Sequence, residues 1–197
     1  MKIFKSACVA AYFISYATVI FAQQETVKQK GYDPTNLFIG GSVSLGIGNG
    51  SFNAGLHPHF GYTFAKWIDA AGVVNFEYQS QRDQYNNKYH TTVYGLGAFT
   101  RIFPVQFIFI QAQPEYNLIQ QKYIPASGSS QKFKVDAPSL LLGGGYTTSR
   151  SGKNSFSYLS ILVDVVKDKN SPYVDGYGNL IPIIRAGVNI GLNSKRK

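Results

Sequence analysis

"LIPIIRAGVNIGL", residues 180–192, carries the reading of the whole chain. Taken at alternate positions, one set is Leu180, Pro182, Ile184, Ala186, Val188, Ile190 and Leu192, all apolar. The other set is Ile181, Ile183, Arg185, Gly187, Asn189 and Gly191, which contains a charge, an amide and two glycines. A period of two means a β-strand with two unlike faces. What each face meets is the question that decides the fold.

The same period runs back through the chain to Leu37. Leu37, Ile39, Gly41, Val43 and Leu45 alternate with Phe38, Gly40, Ser42, Ser44 and Gly46, and "GNGS" at 48–51 signals a turn. Ala54 to Phe64 and Ile68 to Tyr78 repeat the pattern on either side of "AKW". Beyond the polar stretch "QRDQYNNKYH", Tyr94, Leu96, Ala98 and Ile102 oppose Val93, Gly95, Gly97, Phe99 and Arg101, with a turn expected at "FPV", 103–105. Ile108, Ile110, Ala112, Tyr116 and Leu118 oppose Gln111, Gln113, Glu115 and Asn117. Pro114 lacks a ladder N–H, which predicts a bulge or local distortion there. A loop is expected from about 120 to 136, followed by the glycine-rich "APSLLLGGGYTT", the turn "SRSGKN" and a seventh run through Leu159, Ile161, Val163 and Val165. "KDKNSPYVDGYGN" then leads to the closing strand. The total is eight strands, with no linker that would divide two domains.

Composition agrees with β structure. Among 197 residues, 20 are glycine, 14 tyrosine and 14 phenylalanine, and only 15% are charged. Residues 1–22 stand apart. Lys2 and Lys5 precede an apolar run ending at Ala22, the pattern of a cleaved secretory signal peptide. Its apolar run is short for a spanning helix, which needs about 20 residues. Cys8, the only cysteine, falls inside it, so an exported chain holds no disulfide. Without Lys2 and Lys5 the chain keeps 17 of its 19 basic residues against 10 acidic ones. That excess suits anionic lipid or polysaccharide, and export argues against nucleic acid.

Alternation alone does not separate a water-soluble barrel from one in a membrane, but lysine placement helps. Lys66, Lys88, Lys122, Lys132, Lys134, Lys153, Lys167 and Lys169 all fall between the runs, and none falls within one. A solvated sheet face would carry them. Tyr62, Phe64, Trp67, Phe103, Tyr146 and Phe156 cluster near the short turns, and Tyr78, Tyr94 and Tyr116 near the long ones, as two interfacial girdles would. Ile68 to Tyr78 is ten steps of ~3.3 Å, or roughly 23 Å when tilted about 45°, close to the ~25 Å band of a membrane barrel. The fold expected is all-β: an eight-stranded antiparallel up-and-down transmembrane β-barrel with a filled lumen. Residues 1–22 are the signal peptide, 23–36 an N-terminal periplasmic segment, 37–192 the barrel and 193–197 a basic tail. On this reading Asp69, Glu77, Arg101, Glu115, Asp164 and Arg185 point inward and form one or more ion-pair networks that hold the barrel shut, since a buried charge needs a partner.

"LFIGGSVSLGIGNGSF", "PSLLLGGGYTTS" and "NSPYVDGYGNLIPIIRAGVNIGL" resemble porin-family outer-membrane β-barrel proteins of Bacteroidetes-type bacteria. The resemblance covers about 37–192 and implies the cell outer membrane as location. It also implies outer-membrane lipid, lipopolysaccharide and the barrel-insertion machinery as partners. Such barrels usually end in an aromatic residue; here Leu192 is followed by "NSKRK".

Other chemistry is sparse. "GIGNG" at 46–50 lacks the helix that a phosphate loop needs, so a hairpin turn explains it. His57 and His59 share a strand face, as metal ligands do, yet lumen hydrogen bonding is the simpler role. His90 and the many serines form no G-x-S-x-G elbow, and neither an enzyme nor a cofactor is expected. Lys122, Lys132 and Lys134 form a candidate anion-binding loop. The function expected is a structural or surface-interaction barrel. A narrow pore or small-ligand barrel is one alternative. A soluble periplasmic lipocalin-like carrier, with the faces inverted, is the other.

Overall fold

In a computed structural model the chain is described over residues 33–48, 51–148, 150, 155–174 and 178–192. The expected signal peptide at 1–22, most of the expected 23–36 segment and the basic stretch 193–197 lie outside the described residues. After a short 3-10 turn at Pro34–Asn36 come eight strands: β1 (Leu37–Gly48), β2 (Ser51–Ala65), β3 (Ile68–Arg82), β4 (Lys88–Val105), β5 (Ile108–Ile124), β6 (Gln131–Thr147), β7 (Phe156–Asp164) and β8 (Ile183–Gly191). Each pairs antiparallel with the next, and β1 pairs β8 through Phe38↔Gly191 to Ser44↔Arg185. The sheet closes into a barrel in strand order, so neither terminal strand leaves an edge.

The closing strand answers the opening question. Ile184, Val188 and Ile190 are 53%, 46% and 54% exposed, whereas Arg185 and Asn189 are 3% and 2%. The apolar set faces out and the polar set faces in. Strand β5 follows the same rule without a break from Ile108 to Gln120. The outer wall is therefore aliphatic and aromatic around the ring: Val43, Leu56, Phe60, Phe76, Leu96, Ile110, Leu118, Leu159 and Ile161 are all exposed. This polarity is the reverse of what a soluble carrier needs.

Several boundaries differ from the sequence expectation. The loop expected over 120–136 is mostly strand, because β5 runs on to Ile124 and β6 begins at Gln131. Lys122, Lys132 and Lys134 thus lie on a strand ladder, with Lys122 opposite Lys132. Polar and charged side chains occupy a ladder as readily as a loop, so the loss of apolar alternation does not mark the strand's end. The expected turn at 103–105 is still β4, with the turn at Gln106 and Phe107. Phe103 and Phe156 keep their strands' inward parity and are buried, so they belong to the lumen and not to a girdle. Phe64, Trp67 and Tyr146 remain exposed near the short turns, and Tyr78, Tyr94 and Tyr116 near the other end.

Pro114 produces no bulge. Gly97↔Glu115 and Thr100↔Ala112 hold one register across it, and only the pairs between them are missing. The missing N–H costs ladder bonds without inserting a residue. The register shifts fall instead at Thr63/Ala65 and Ile102/Val105, beside the turns. The last strand starts at Ile183, with Leu180 in an isolated bridge to Val174, so the alternation of 180–182 lies outside the ladder.

The wall is uneven in height. The nine residues of β7 or β8 reach about 21 Å along the axis. The 17 or 18 residues of β4, β5 and β6 reach roughly 40 Å. One side of the barrel therefore rises as a palisade above the rest, at the end opposite the start of β1 and the end of β8.

Candidate functional site

An eight-stranded ring leaves an interior just wide enough for side chains. In this chain that interior is stratified. Near the short turns it is aromatic: Phe103, Phe109, Phe156 and Tyr158 form one buried cluster, beside Phe38, Ala71, Val73 and Phe99. Two arginines are set among these rings. The Arg101 guanidinium lies 4.3 Å from the Phe99 ring centre and 4.0 Å from that of Tyr158. Arg150 lies 4.0 Å from that of Phe103. The ring faces offer partial negative charge to a cation that has lost its water. Arg150 also donates to Asp69 Oδ1 at 2.5 Å, and both side chains are buried. Arg150 comes from the β6–β7 connection and closes this end of the lumen.

The middle and upper lumen holds a single hydrogen-bonded set. Arg185 Nη2 lies 3.5 Å from Glu77 Oε1 and 3.5 Å from Glu115 Oε1. Tyr173 Oη sits between the same groups, 3.0 Å from Glu115 Oε2 and 3.3 Å from Glu77 Oε1, and accepts from Arg185 at 3.4 Å. Tyr173 belongs to the β7–β8 connection, is 3% exposed, and packs on Leu141, Leu162 and Ile183. Ser171 and Tyr173 of that connection are thus buried among the inward side chains at the other end of the barrel.

All six charged residues expected in the lumen are there, but they are not six members of one ion-pair cluster. Glu77, Glu115 and Arg185 pair directly. Arg101 has no carboxylate partner among the described residues. Its Nε donates to Gln111 Oε1 at 2.7 Å, Gln111 donates to Gln113, and Gln113 donates to Glu115. Two amides thus carry the polarisation from Arg101 to the carboxylate. Asp164 accepts from the Leu140 and Val166 amides and from Ser171 Oγ. It connects to the rest through Ser171, Ser139 and Asn117. Asp69 pairs with Arg150 and not with Arg101, its register neighbour on β4.

His57 and His59 are buried within this set. His59 Nε2 is 2.9 Å from Asn189 Oδ1. His57 lies between Ser44 Oγ, 3.1 Å from Nε2, and Asn75 Oδ1, 2.9 Å from Nδ1. The order hydroxyl, imidazole, amide is that of an activated nucleophile. Here it is packed shut: a Cβ at Gly55 would lie 2.4 Å from Ser44 Oγ and 2.9 Å from His57 Nε2. The lumen cavity beside the histidines, lined by Ser42, Arg101, Gln111 and Tyr158, measures about 10 Å³. That is water-sized, with no room for an acyl group. No group of three or more metal-ligating side chains occurs among the described residues.

The sequence reading missed Tyr173 and Arg150. Both sit in irregular connections, where no period marks an inward position. Phe156 was legible in principle, because it shares parity with Ser160, Leu162 and Asp164.

The chain is similar in structure to Neisserial surface protein A, with 9% identity, 80% of this chain and 97% of that one covered, and a TM-score of 0.49. It is also similar to Ail, the attachment invasion locus protein of Yersinia pestis, solved in complex with the heparin analogue sucrose octasulfate (12%; 78% and 96%; TM-score 0.48). A third likeness is to the translocator domain of the autotransporter NalP from Neisseria meningitidis (9%; 93% and 97%; TM-score 0.43). No family model and no curated protein matches the chain.

Proposed function

We propose that the chain is an integral outer-membrane barrel with a structural or surface-interaction role, acting through the palisade and connections at one end and not through catalysis or conduction. One observation carries this reading: the wall is apolar and exposed while the charges are buried inside. In water, an exposed aliphatic band around a whole molecule drives aggregation; in hydrocarbon it is the stable surface. The inner charges that water would otherwise solvate are paired or hydrogen-bonded across the ring. Tyr173 and Arg150 are buried toward the two ends, and the cavity beside His57 and His59 has room for about one water.

Export through residues 1–22, membership of the porin family and dependence on the insertion machinery belong to the same proposal. They are supported by the basic-apolar start of the sequence and by the resemblance of the strand motifs. With both barrel termini at the short-turn end, the palisade of β4, β5 and β6 faces outward from the cell.

The test combines membrane fractionation with gel mobility and planar-bilayer recording. The chain is expected in the outer-membrane fraction after a high-salt wash. It should run as a compact band when unheated and a slower one after boiling, and show no steady conductance. Release by salt, or a stable open channel, overturns the reading.

A further inference from the structure

The palisade has two unlike faces above the tyrosine girdle. On its outer face the register brings six basic residues together from four strands: Arg82 on β3, Lys88 and His90 on β4, Lys122 on β5, and Lys132 and Lys134 on β6. Arg82 is directly opposite Lys88, His90 opposite Lys122, and Lys122 opposite Lys132. Arg82 and the four lysines are exposed, and His90 is partly so, its Nδ1 lying 2.6 Å from Tyr78 Oη. These positions share the parity of Tyr78, Tyr94, Tyr116 and Leu118, the residues of the lipid-facing wall below them. Among the described residues none of the six is in an ion pair. Two carboxylates lie nearby: Asp136 accepts a hydrogen bond from Tyr116, and Asp83, in the turn between Arg82 and Lys88, accepts from Tyr85 and Asn87.

Like charges directly opposite on a ladder are destabilising, and here two such pairs, Arg82/Lys88 and Lys122/Lys132, are bridged by His90 opposite Lys122. An anion lying across them removes that repulsion. Three inter-strand steps of ~4.8 Å make the basic field about 14 Å wide, more than a single phosphate covers. Its height also points to the occupant. Arg82 and Lys134 stand four residues beyond Tyr78 and the level of Tyr116, roughly 9 Å along a tilted strand, at headgroup depth. We propose that this collar binds the headgroup of an outer-leaflet glycolipid bearing more than one phosphate, whose acyl chains lie on the apolar wall directly beneath. The inference rests on the membrane reading above and names a partner for its outward end. Single exposed contacts are weak, so the selectivity arises from several lysines engaging one headgroup.

The test uses the protein extracted from membranes and reconstituted in nanodiscs. The discs contain phosphatidylcholine with a minor fraction of bisphosphorylated lipid A, monophosphorylated lipid A or phosphatidylglycerol. Retained lipid is read by native mass spectrometry. Bisphosphorylated lipid is expected to be retained about tenfold over phosphatidylglycerol. The combined variant Lys122→Gln, Lys132→Gln, Lys134→Gln should lose that preference while keeping its heat-shifted band. Lys66→Gln, at the opposite end, should keep it. Equal retention by wild type and the triple variant overturns the proposal, as does equal loss in Lys66→Gln. Full displacement by soluble tripolyphosphate overturns the lipid as its source. A chain that never gives the compact band defeats the membrane reading itself, a separate outcome.

Discussion

Removing Arg185 tests the idea that the lumen is held together by opposed charges. Each of its two carboxylate partners lies 3.5 Å from Nη2, and all three side chains are nearly inaccessible. At that separation an effective dielectric of about 20 gives roughly 4–5 kcal/mol of attraction per pair. The desolvation of three charges takes back much of the sum. Breaking a buried pair from one side is nonetheless costly, because the abandoned charges stay buried; about 3–5 kcal/mol is the ordinary scale. Arg185→Met keeps an unbranched, flexible but shorter side chain and removes its charge, so Glu77, Glu115 and the Tyr173 hydroxyl lose their shared donor. We expect destabilisation of about 3–5 kcal/mol in urea titrations of the barrel in detergent micelles. Trp67, the single tryptophan, is half-exposed near the short turns and reports unfolding by its fluorescence. Adding Glu77→Gln and Glu115→Gln to Arg185→Met should recover at least half of the loss, since neutral amides carry no stranded charge. A loss below about 1 kcal/mol in the single variant would refute the reasoning, and so would a triple variant no more stable than the single.

Val188→Arg places a cation on the outer wall and should cost about 2–4 kcal/mol of barrel stability in vesicles; a cost near zero would mean that water bathes this face. Gly145→Ala and Gly72→Ala should part company. A Cβ at Gly145 meets Leu159 O at 2.1 Å and the Phe109 ring at 2.7 Å, whereas one at Gly72 meets nothing within 4 Å. The first is expected to lose about 1–3 kcal/mol and the second to gain about 0.5–1, by urea unfolding; equal effects would contradict the inward packing of Gly145. In the β3–β4 turn, the Asn87 side chain and the Asn87 and Tyr85 amides all donate to Asp83, which holds its carboxyl below the usual range. A depressed carboxyl contributes stability above its unfolded value of ~3.9 and loses it only as pH falls through the lower folded value. Amide-proton NMR should therefore show Tyr85 and Asn87 ordered at that pH and released below it. Unchanged shifts in Asp83→Asn would count against this capping role.

Much of the architecture was legible because a strand's two faces recur every second residue. Ile184 and Arg185 were assigned to opposite faces without reference to any neighbour, and the parity that put Glu77, Glu115 and Asp164 inside follows from the same alternation. The period fades where both faces turn polar, so alternation alone ends β5 and β6 too soon and makes a loop of the basic ladder at Lys122 and Lys132. Nearness to turns puts Phe103 and Phe156 in a girdle, whereas strand parity puts them in the lumen, where they lie.

The sequence by itself determined the number of strands, their order and the polarity of their faces, because these depend on local alternation and on turns between neighbours. Only the tertiary structure decided which inner groups meet. Asp69 finds Arg150 across 81 positions, and Glu77 finds Tyr173 across 96. Those contacts cross the ring rather than follow it. They depend on the closure of β1 on β8, on the width left for side chains, and on two connections that bend inward with no periodicity to announce them.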